Sequence, residues 1–110
     1  MHLLKAIIRP DKVDNVKDAL TALGVAGMTL SEVRGHGRQK GHKAIYRGKE
    51  YAVDLLPKMQ IEVVVDDSLS DQVVKAIIGA ARTGEIGDGR VFVIPVAHSY
   101  RIRTGELDMP

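Results

Sequence analysis

The 110 residues suit one domain, spanning 1–110, and a hydrophobic content of 45% is ordinary for a globular protein. The absence of cysteine excludes disulfides and thiolate metal sites, which agrees with a cytoplasmic location. A net charge of only +2 and four aromatic residues argue against nucleic acid as a partner. No apolar run approaches the ~20 residues that cross a bilayer, so we expect a soluble protein.

The first third of the chain predicts a strand, a helix and a second strand. Residues 3–8 are apolar except for Lys5 and end at Arg9-Pro10, which is typical of a strand. Apolar residues at helical spacing follow over residues 13–23, with Asp11 as the expected N-cap and Gly24 as the residue that ends the helix. Residues 28–33 are predicted to form the second strand.

Residues 34–57 depart from this pattern. Gly35, Gly37, Gly41 and Gly48 are expected to break any regular element, and the segment is strongly basic. A connection of this length in a small domain is usually functional or mobile. We therefore predict a long mobile loop over about residues 36–56.

The remainder of the chain predicts a strand over residues 59–65, a helix capped by Ser68, and an apolar strand over residues 91–96. Gly84 is expected to end the helical segment, and a short extended stretch over residues 98–103 follows the last strand. The side chains expected to face the core from the first two of these elements are Met59, Ile61, Val63, Val65, Leu69, Val73, Ile77 and Ala80.

The two halves of the chain repeat each other when they are shifted by 57 residues, so strand–helix–strand occurs twice. Two such units interleave as an α+β, ferredoxin-like βαββαβ sandwich with both helices on one face of the sheet. The last long strand is apolar on both faces, with Val91 and Val93 on one side and Phe92 and Ile94 on the other. We therefore expect further copies of the chain to cover the second face, in an oligomer of open order.

A glycine-rich segment over residues 83–90 is a candidate phosphate site. Gly87 and Gly89 would let backbone N–H groups approach a phosphate, and Arg90 would add a positive charge. On spacing alone, a tight turn that closes the second helix is the favoured interpretation.

Arg101 and Arg103 are a second candidate. Residues two apart in a strand point the same way, so the two guanidinium groups would converge on a polyphosphate. Two ordinary surface arginines are an equally good interpretation. No histidines pair at metal-ligand spacing and no catalytic triad is recognisable, which disfavours a zinc site and an enzyme.

Several ordered motifs together resemble the PII signal-transduction family, the GlnB and GlnK nitrogen regulators. They are GHGRQKGH at residues 35–42, YRG at 46–48, VDLLPK at 53–58, and the segments 83–93 and 101–106. The resemblance covers nearly the whole chain. It implies a non-enzymatic, cytoplasmic regulator of nitrogen metabolism that is a homotrimer with its sheets packed inward, that binds ATP or ADP in the clefts between subunits, and whose mobile loop is the T-loop.

The resemblance also implies the site residues. Nucleotide contacts in the family match Thr29, Gly37, Arg38, Val64, Gly87, Asp88, Gly89, Arg90, Arg101 and Arg103. With ATP and Mg²⁺ bound, family members take up 2-oxoglutarate. Gln39 would give a side-chain oxygen to the Mg²⁺, Lys58 would pair with the far carboxylate of 2-oxoglutarate, and the backbone at Lys40 and Gly41 would close around it.

The loop would report the ligand state to partner proteins. Arg47 and Tyr51 near its tip are the implied contacts, and Tyr51 is the position that receives a nucleotidyl group in many bacteria. The implied partners are an ammonium transporter, nitrogen-assimilation enzymes or the enzymes that modify them. A membrane would be reached only through the transporter.

Three rival interpretations remain. A PII-like trimer could sense another small ligand, such as a carbon or second-messenger signal, but the presence of Gln39 and Lys58 disfavours it. A metal-tolerance trimer of similar fold is disfavoured by the unpaired histidines and the absence of cysteine. An acylphosphatase-like enzyme needs an Arg–Asn pair at its phosphate loop, and the one asparagine, Asn15, is predicted inside the first helix.

Overall fold

The computed structural model describes residues 1–36, 43–46, 49–52 and 55–108. The strands are β1 (His2–Ile8), β2 (Thr29–Gly35), β3 (Lys43–Tyr46), β4 (Lys49–Ala52), β5 (Leu56–Val65) and β6 (Gly89–Pro95). The helices are α1 (Val13–Ala22) and α2 (Asp67–Ala81), and a 3-10 turn, Pro10–Lys12, precedes α1. Within the described residues, no helix is both long enough and apolar enough to cross a membrane.

Four of the strands form one antiparallel sheet in the order β2-β5-β1-β6, and β3 pairs with β4 in a separate hairpin. The predicted ferredoxin-like βαββαβ arrangement is confirmed. The hairpin corrects the expectation that glycine breaks every regular element between residues 34 and 57. Since β2 reaches Gly35 and β5 begins at Leu56, the loop spans residues 36–55. Residues 37–42, 47–48 and 53–54 lie outside the described part, so the predicted mobility stays a prediction.

The core lies between one face of the sheet and the two helices. Alternate residues of β1 and β5 point into it, and they meet Val16 and Leu20 of α1 and Val73 and Ile77 of α2. The predicted core faces are confirmed: Ile61, Val63, Val65, Val73 and Ile77 are buried, and Met59, Leu69 and Ala80 pack against them partly buried. The period-two and period-3.6 patterns therefore place the core correctly.

The helix starts differ from expectation. Pro10 opens a 3-10 turn directly after Arg9, so Asp11 lies inside that turn, and Lys12 occupies the N-cap of α1 without a side-chain hydrogen bond. In α2 the cap is Asp66, whose carboxylate accepts from the backbone N–H of Ser68 at 3.0 Å. Ser68 is thus not the N-cap residue, and it donates hydrogen bonds to the carboxylate of the N-cap residue Asp66.

The end of the chain folds back on itself, and it is not extended as predicted. The N–H of Arg101 donates to the carbonyl of Glu106 at 2.9 Å, and the N–H of Gly105 donates to the carbonyl of Arg101 at 2.7 Å. Gly105 has a φ of 72°, which lets the chain reverse there. The expectation that Arg101 and Arg103 share one side of a strand is therefore wrong, although both side chains are exposed.

The sheet face opposite the helices is apolar and only partly covered. The register places Phe92 and Ile94 of β6 beside Lys5 and Leu3 of β1 on this face. Phe92 is 40% exposed and Ile94 is 39% exposed. The predicted two-sided apolar character of the last long strand is confirmed. Such a contiguous exposed apolar surface is typical of an interaction face.

Gly89 is required by the close packing of β6 on β1. It has a φ of 107°, and a Cβ atom there would overlap the backbone carbonyl of Ile7. Gly84 also has a positive φ, 90°, but a Cβ there would meet nothing within 4 Å. A substitution at Gly84 therefore tests the strain of a positive φ alone, whereas a substitution at Gly89 tests that strain together with the steric overlap.

We expect Gly84→Ala to cost about 1 kcal/mol of unfolding free energy, the usual strain of a positive φ. Gly89→Ala should cost at least ~2 kcal/mol more, because the overlap adds overpacking strain. Urea denaturation of both variants measures the difference. Equal losses would show that β1 and β6 have room for the methyl group.

Candidate functional site

The turn between α2 and β6 is organised by one carboxylate. Oδ2 of Asp88 accepts from the backbone N–H groups of Thr83 and Gly84, both at 2.9 Å. Oδ1 accepts from the hydroxyl of Thr83, and that hydroxyl also accepts from the N–H of Glu85 at 3.1 Å. The family resemblance implies that Asp88 contacts the nucleotide. In the structure its side chain stabilises the conformation of the glycine-rich turn.

Two basic side chains attach this turn to the rest of the sheet. Arg9 donates from Nε to Oδ1 of Asp88 at 3.1 Å and from a terminal nitrogen to the carbonyl of Ile86 at 2.9 Å. Lys58 donates from Nζ to the carbonyl of Gly87 at 2.6 Å. The turn is therefore fixed from the end of β1 and from the start of β5.

The electrostatics follow from these contacts. The pKa of Asp88 lies far below its ordinary value, chiefly because the Thr83 hydroxyl and N–H donate to the ionised form, with Gly84 and Arg9 contributing. The pKa of Lys58 is lowered by burial and by the neighbouring charge of Arg9, against the opposing effect of Asp88. The cluster thus combines one strongly ionised carboxylate with two basic groups.

The turn has the donor chemistry that a phosphate needs. Gly87 and Gly89 adopt φ values of 100° and 107°, which turn the backbone away from β geometry. The N–H groups of Gly87 and Asp88 have no acceptor within the described ranges. Arg90 is exposed and has no ion-pair partner in the same part of the chain. Unpaired N–H groups beside a guanidinium fit an anionic oxygen group.

Thr29 and Val64 lie together at a second place. They line a cavity of about 410 Å³ whose wall also includes Glu62, Ser99 and Asp108. The folded-back end of the chain borders this cavity, since the N–H of Asp108 donates to the carbonyl of Ser99 at 2.7 Å. The mixed polar and apolar lining suits a heteroaromatic ring with hydrogen-bonding edges.

Arg101 is engaged beside this second cavity. Its Nε donates to Oδ1 of Asp108 at 3.0 Å, in an ion pair whose arginine side chain is well exposed. Arg103 lies in the same short turn and is exposed. Both guanidinium groups therefore belong to the end of the chain that borders the Thr29 cavity.

The two groups of predicted nucleotide residues are separated on one chain. Val64 is paired with Leu3, whereas Gly89 is paired with Ile8, five residues further along β1. At about 3.4 Å per residue the two places are ~17 Å apart along the strand. One copy of the chain therefore does not gather these residues around one phosphate group.

The rest of the predicted site lies at the base of the loop or beyond the described residues. Lys58 lines a cavity of about 380 Å³ with Glu32 and Arg34 of β2 and Pro57 of β5. Tyr51 belongs to β4, of which only the backbone is described. Predicted residues that lie outside the described part are Gly37, Arg38, Gln39, Lys40, Gly41 and Arg47.

Sequence reasoning missed Arg9, Glu62 and Asp108. Arg9 was assigned only to the end of a strand, and its role follows from the pairing of Ile8 with Gly89, which brings it beside Asp88. Predicting this contact would have required the strand order of the sheet. Glu62 is directly paired with Thr29, so a register prediction for β2 and β5 would have found it.

The fold and this turn define a small α+β protein with a ferredoxin-like sheet and an ordered glycine-rich turn at one sheet end. A family model described as "Nitrogen regulatory protein P-II" matches residues 1–106. The chain is 56% identical to Nitrogen regulatory protein P-II of Rhizobium etli and to Nitrogen regulatory protein P-II 1 of Escherichia coli, covering 98% of this chain and 96% of each relative. It is 59% identical to Nitrogen regulatory protein P-II of Nostoc punctiforme, covering 96% of this chain and 95% of the relative.

The chain belongs to the PII family of nitrogen regulatory proteins. Its role is therefore nitrogen regulation by signal transduction. The predicted family is confirmed, and the matching relatives are named as nitrogen regulatory proteins, which is the function class that the motifs indicated.

The hydrogen bonds to Asp88 predict a pH dependence of stability. Since its pKa is lower in the folded state than the unfolded value of about 3.9, the stabilisation is complete above that pH and is lost as the pH falls below it. Asp88→Asn should be less stable than the unaltered chain at pH 7, and the difference should shrink in acid. Urea denaturation between pH 7 and pH 2 checks this.

Asp71→Asn is the matched control, because Asp71 is an exposed carboxylate on α2. It should keep the pH profile of the unaltered chain. An Asp88→Asn profile that runs parallel to that of Asp71→Asn would contradict the role given to the Asp88 carboxylate.

Proposed function

We propose that this chain is a non-enzymatic, homotrimeric regulator that binds ATP or ADP in the clefts between subunits. With Mg²⁺ and ATP bound it takes up 2-oxoglutarate, and its loop at residues 36–55 then engages or releases target proteins. The observation that carries the proposal is the separation of the two nucleotide-binding groups on one chain, in a molecule that belongs to the PII family.

The apolar sheet face supports self-association. Phe92, Ile94 and Val64 are each 38–40% exposed on the face that the helices leave open. Burying apolar area contributes about 25 cal/mol per Å², so packing three such faces together stabilises a trimer. In the proposed trimer the chain end of one subunit would lie beside the glycine-rich turn of its neighbour.

In the proposed cleft each subunit supplies one half of the nucleotide site. The Gly87–Arg90 segment of one subunit binds phosphate oxygens through backbone N–H groups and the Arg90 guanidinium. The neighbour supplies the Thr29 and Val64 cavity for the adenine, together with Arg101 and Arg103 for the phosphates. Arg101 must first leave Asp108, an exposed ion pair of the kind that contributes at most about 1 kcal/mol.

The 2-oxoglutarate site is proposed at the base of the loop. Mg²⁺ prefers oxygen ligands. Gln39 would supply one side-chain oxygen, and ATP and 2-oxoglutarate would supply the others. Lys58 would pair with the far carboxylate. Because Lys58 now donates to the carbonyl of Gly87, a ligand that draws it away also alters the turn that binds phosphate. This shared side chain supports a coupling between the two ligands.

The loop is the proposed output. Different ligand states would favour different loop conformations, and Arg47 and Tyr51 would contact an ammonium transporter or a nitrogen-assimilation enzyme. Nucleotidylation of Tyr51 would add bulk and negative charge to a basic segment and oppose that contact. The protein would act in the cytoplasm and reach a membrane only through its transporter partner.

Calorimetric titration tests the ligand logic. We expect 2-oxoglutarate to bind only when Mg²⁺ and ATP are present, because they complete the metal site. Gln39→Ala should weaken 2-oxoglutarate at least ~tenfold through the loss of a metal ligand and should keep ATP binding. Binding of 2-oxoglutarate that ignores nucleotide would overturn the mechanism, and a chain that binds no ATP would overturn the whole proposal.

Mixed trimers test the shared cleft. Arg90→Ala and Arg101→Ala should each weaken ATP about 10- to 100-fold, the loss of charge-assisted hydrogen bonds. When the two variants are mixed and reassembled, about one cleft in four should combine an intact Arg90 with an intact Arg101 and regain full affinity. Lys75→Ala, on the exposed side of α2, is the control and should bind as the unaltered chain does. If the mixed trimers bind ATP no better than the Arg90→Ala and Arg101→Ala trimers do, both arginines of a cleft must come from the same chain.

A further inference from the structure

Two opposite charges lie at the centre of the sheet face that the helices leave open. β5 and β1 are the two inner strands of the sheet, and Glu62 of β5 is paired directly with Lys5 of β1. Lys5 is in turn paired with Phe92 of β6, so all three side chains lie on the open face. β1 spans His2–Ile8, which places Lys5 midway along it. The two charges are therefore central both across the sheet and along its strands.

One chain alone gives Lys5 no ion-pair partner. Among the residues that the structure describes, no carboxylate lies within ion-pair distance of Lys5. Glu62 instead accepts at Oε1 from the side-chain amide of Gln60 at 2.9 Å. Both charged residues are already half-buried, and further copies packed on this face would withdraw the ammonium group from water. A buried charge without a partner is strongly unfavourable, so a trimer closed on this face needs a carboxylate for Lys5.

We propose that Lys5 of one subunit forms an ion pair with Glu62 of the partner subunit at the centre of the trimer. The cleft proposed above brings the β6 edge of one subunit to the β2 edge of the next, and every contact of a closed ring is head-to-tail in this way. Each sheet therefore presents Glu62 and then Lys5 in the same order around the axis. Positive and negative charges alternate there, and each Lys5 lies between the carboxylate of its own chain and that of the next copy.

The ion pair adds direction to an otherwise apolar contact. The neighbouring row on this face consists of Val64, Leu3 and Ile94, and the attraction between such apolar surfaces is non-directional. Removing one partner of a buried ion pair is strongly destabilising, so the pair favours one placement of the subunits. Glu62 also borders the Thr29 cavity, but the nucleotide contacts proposed above do not use its side chain. The inference rests on the proposed trimer and adds the contact that selects matching chains.

Charge reversal tests the pair. Lys5→Glu and Glu62→Lys each place like charges on both sides of every junction between subunits. Native mass spectrometry at a micromolar chain concentration should show a trimer for the unaltered chain and at least ~tenfold less trimer for either variant, since a broken buried pair costs more than that factor. The double variant Lys5→Glu/Glu62→Lys restores the alternation with exchanged signs and should regain the trimer.

Mixing the two single variants separates contacts between subunits from contacts within one chain. The Lys5→Glu chain, labelled with heavy nitrogen, is unfolded in urea with an equal amount of the Glu62→Lys chain, and the mixture is refolded. Each junction between unlike chains then joins opposite charges, whereas each chain still carries like charges within itself. Random reassembly gives about three mixed trimers in four, and we expect nearly all trimers to be mixed.

Lys75→Glu and Asp71→Lys are the matched control pair, because they change the net charge by the same amounts at exposed positions of α2. Each should remain trimeric, and their mixture should reassemble at random. This control removes any general attraction between chains of opposite net charge.

Three outcomes would overturn the inference. They are a mixed fraction equal to that of the control pair, single variants that are as trimeric as the unaltered chain, and a double variant that assembles no better than the single ones. An unaltered chain that is not trimeric would contradict the proposed function and this inference with it. A stable trimer whose variants mix at random would contradict the inference alone.

Discussion

The carboxylate of Asp88 receives hydrogen bonds from Thr83 and Gly84, in the turn that follows α2, and from Arg9, directly after β1. Withdrawing a carboxylate from water disfavours its ionised form. Here the donors of Thr83, Gly84 and Arg9 outweigh that effect and keep the carboxylate ionised. The same hydrogen bonds hold the turn that contains Gly84 and Gly87, both of which have positive φ.

A second constraint is geometric. Two helices of 10 and 15 residues cover one face of the central strands, and they leave the opposite face and part of β6 exposed. A short chain has little material with which to cover both faces, because the surface-to-volume ratio of small domains is high. The same shortage accounts for the open apolar face, which further copies would cover in the proposed trimer.

The sequence predicted the strands and the core with good accuracy, because alternation along β5 and helical spacing along α2 depend on local periodicity. Helix caps were less accurate, since Asp66, Asp67 and Ser68 are adjacent candidates and only the backbone geometry selects Asp66. The prediction of an extended chain end was wrong because the chain reverses at Gly105, and apolar patterning carries no signal for that reversal.

The candidate site was harder to predict from physics alone. Its contacts join residues far apart in sequence: Arg9 and Asp88 are 79 positions apart, and Lys58 and Gly87 are 29 apart. No local pattern links such pairs until the strand order is known. The nucleotide and 2-oxoglutarate residues came from family resemblance, and the physical reasoning reached only the glycine-rich turn and the two arginines, each with an equally good or better ordinary interpretation.

The pairing of Gly35 with Leu56 has a consequence for how such proteins diversify. The two residues that flank the segment 36–55 are paired with each other across β2 and β5. The pairing of these two strands therefore does not depend on the length of the segment. The entropy of closing a longer segment grows only slowly with the number of residues. Insertions, deletions or whole replacements there leave the strand register untouched. The four-stranded sheet can therefore stay constant while the sequence between residues 36 and 55 is exchanged.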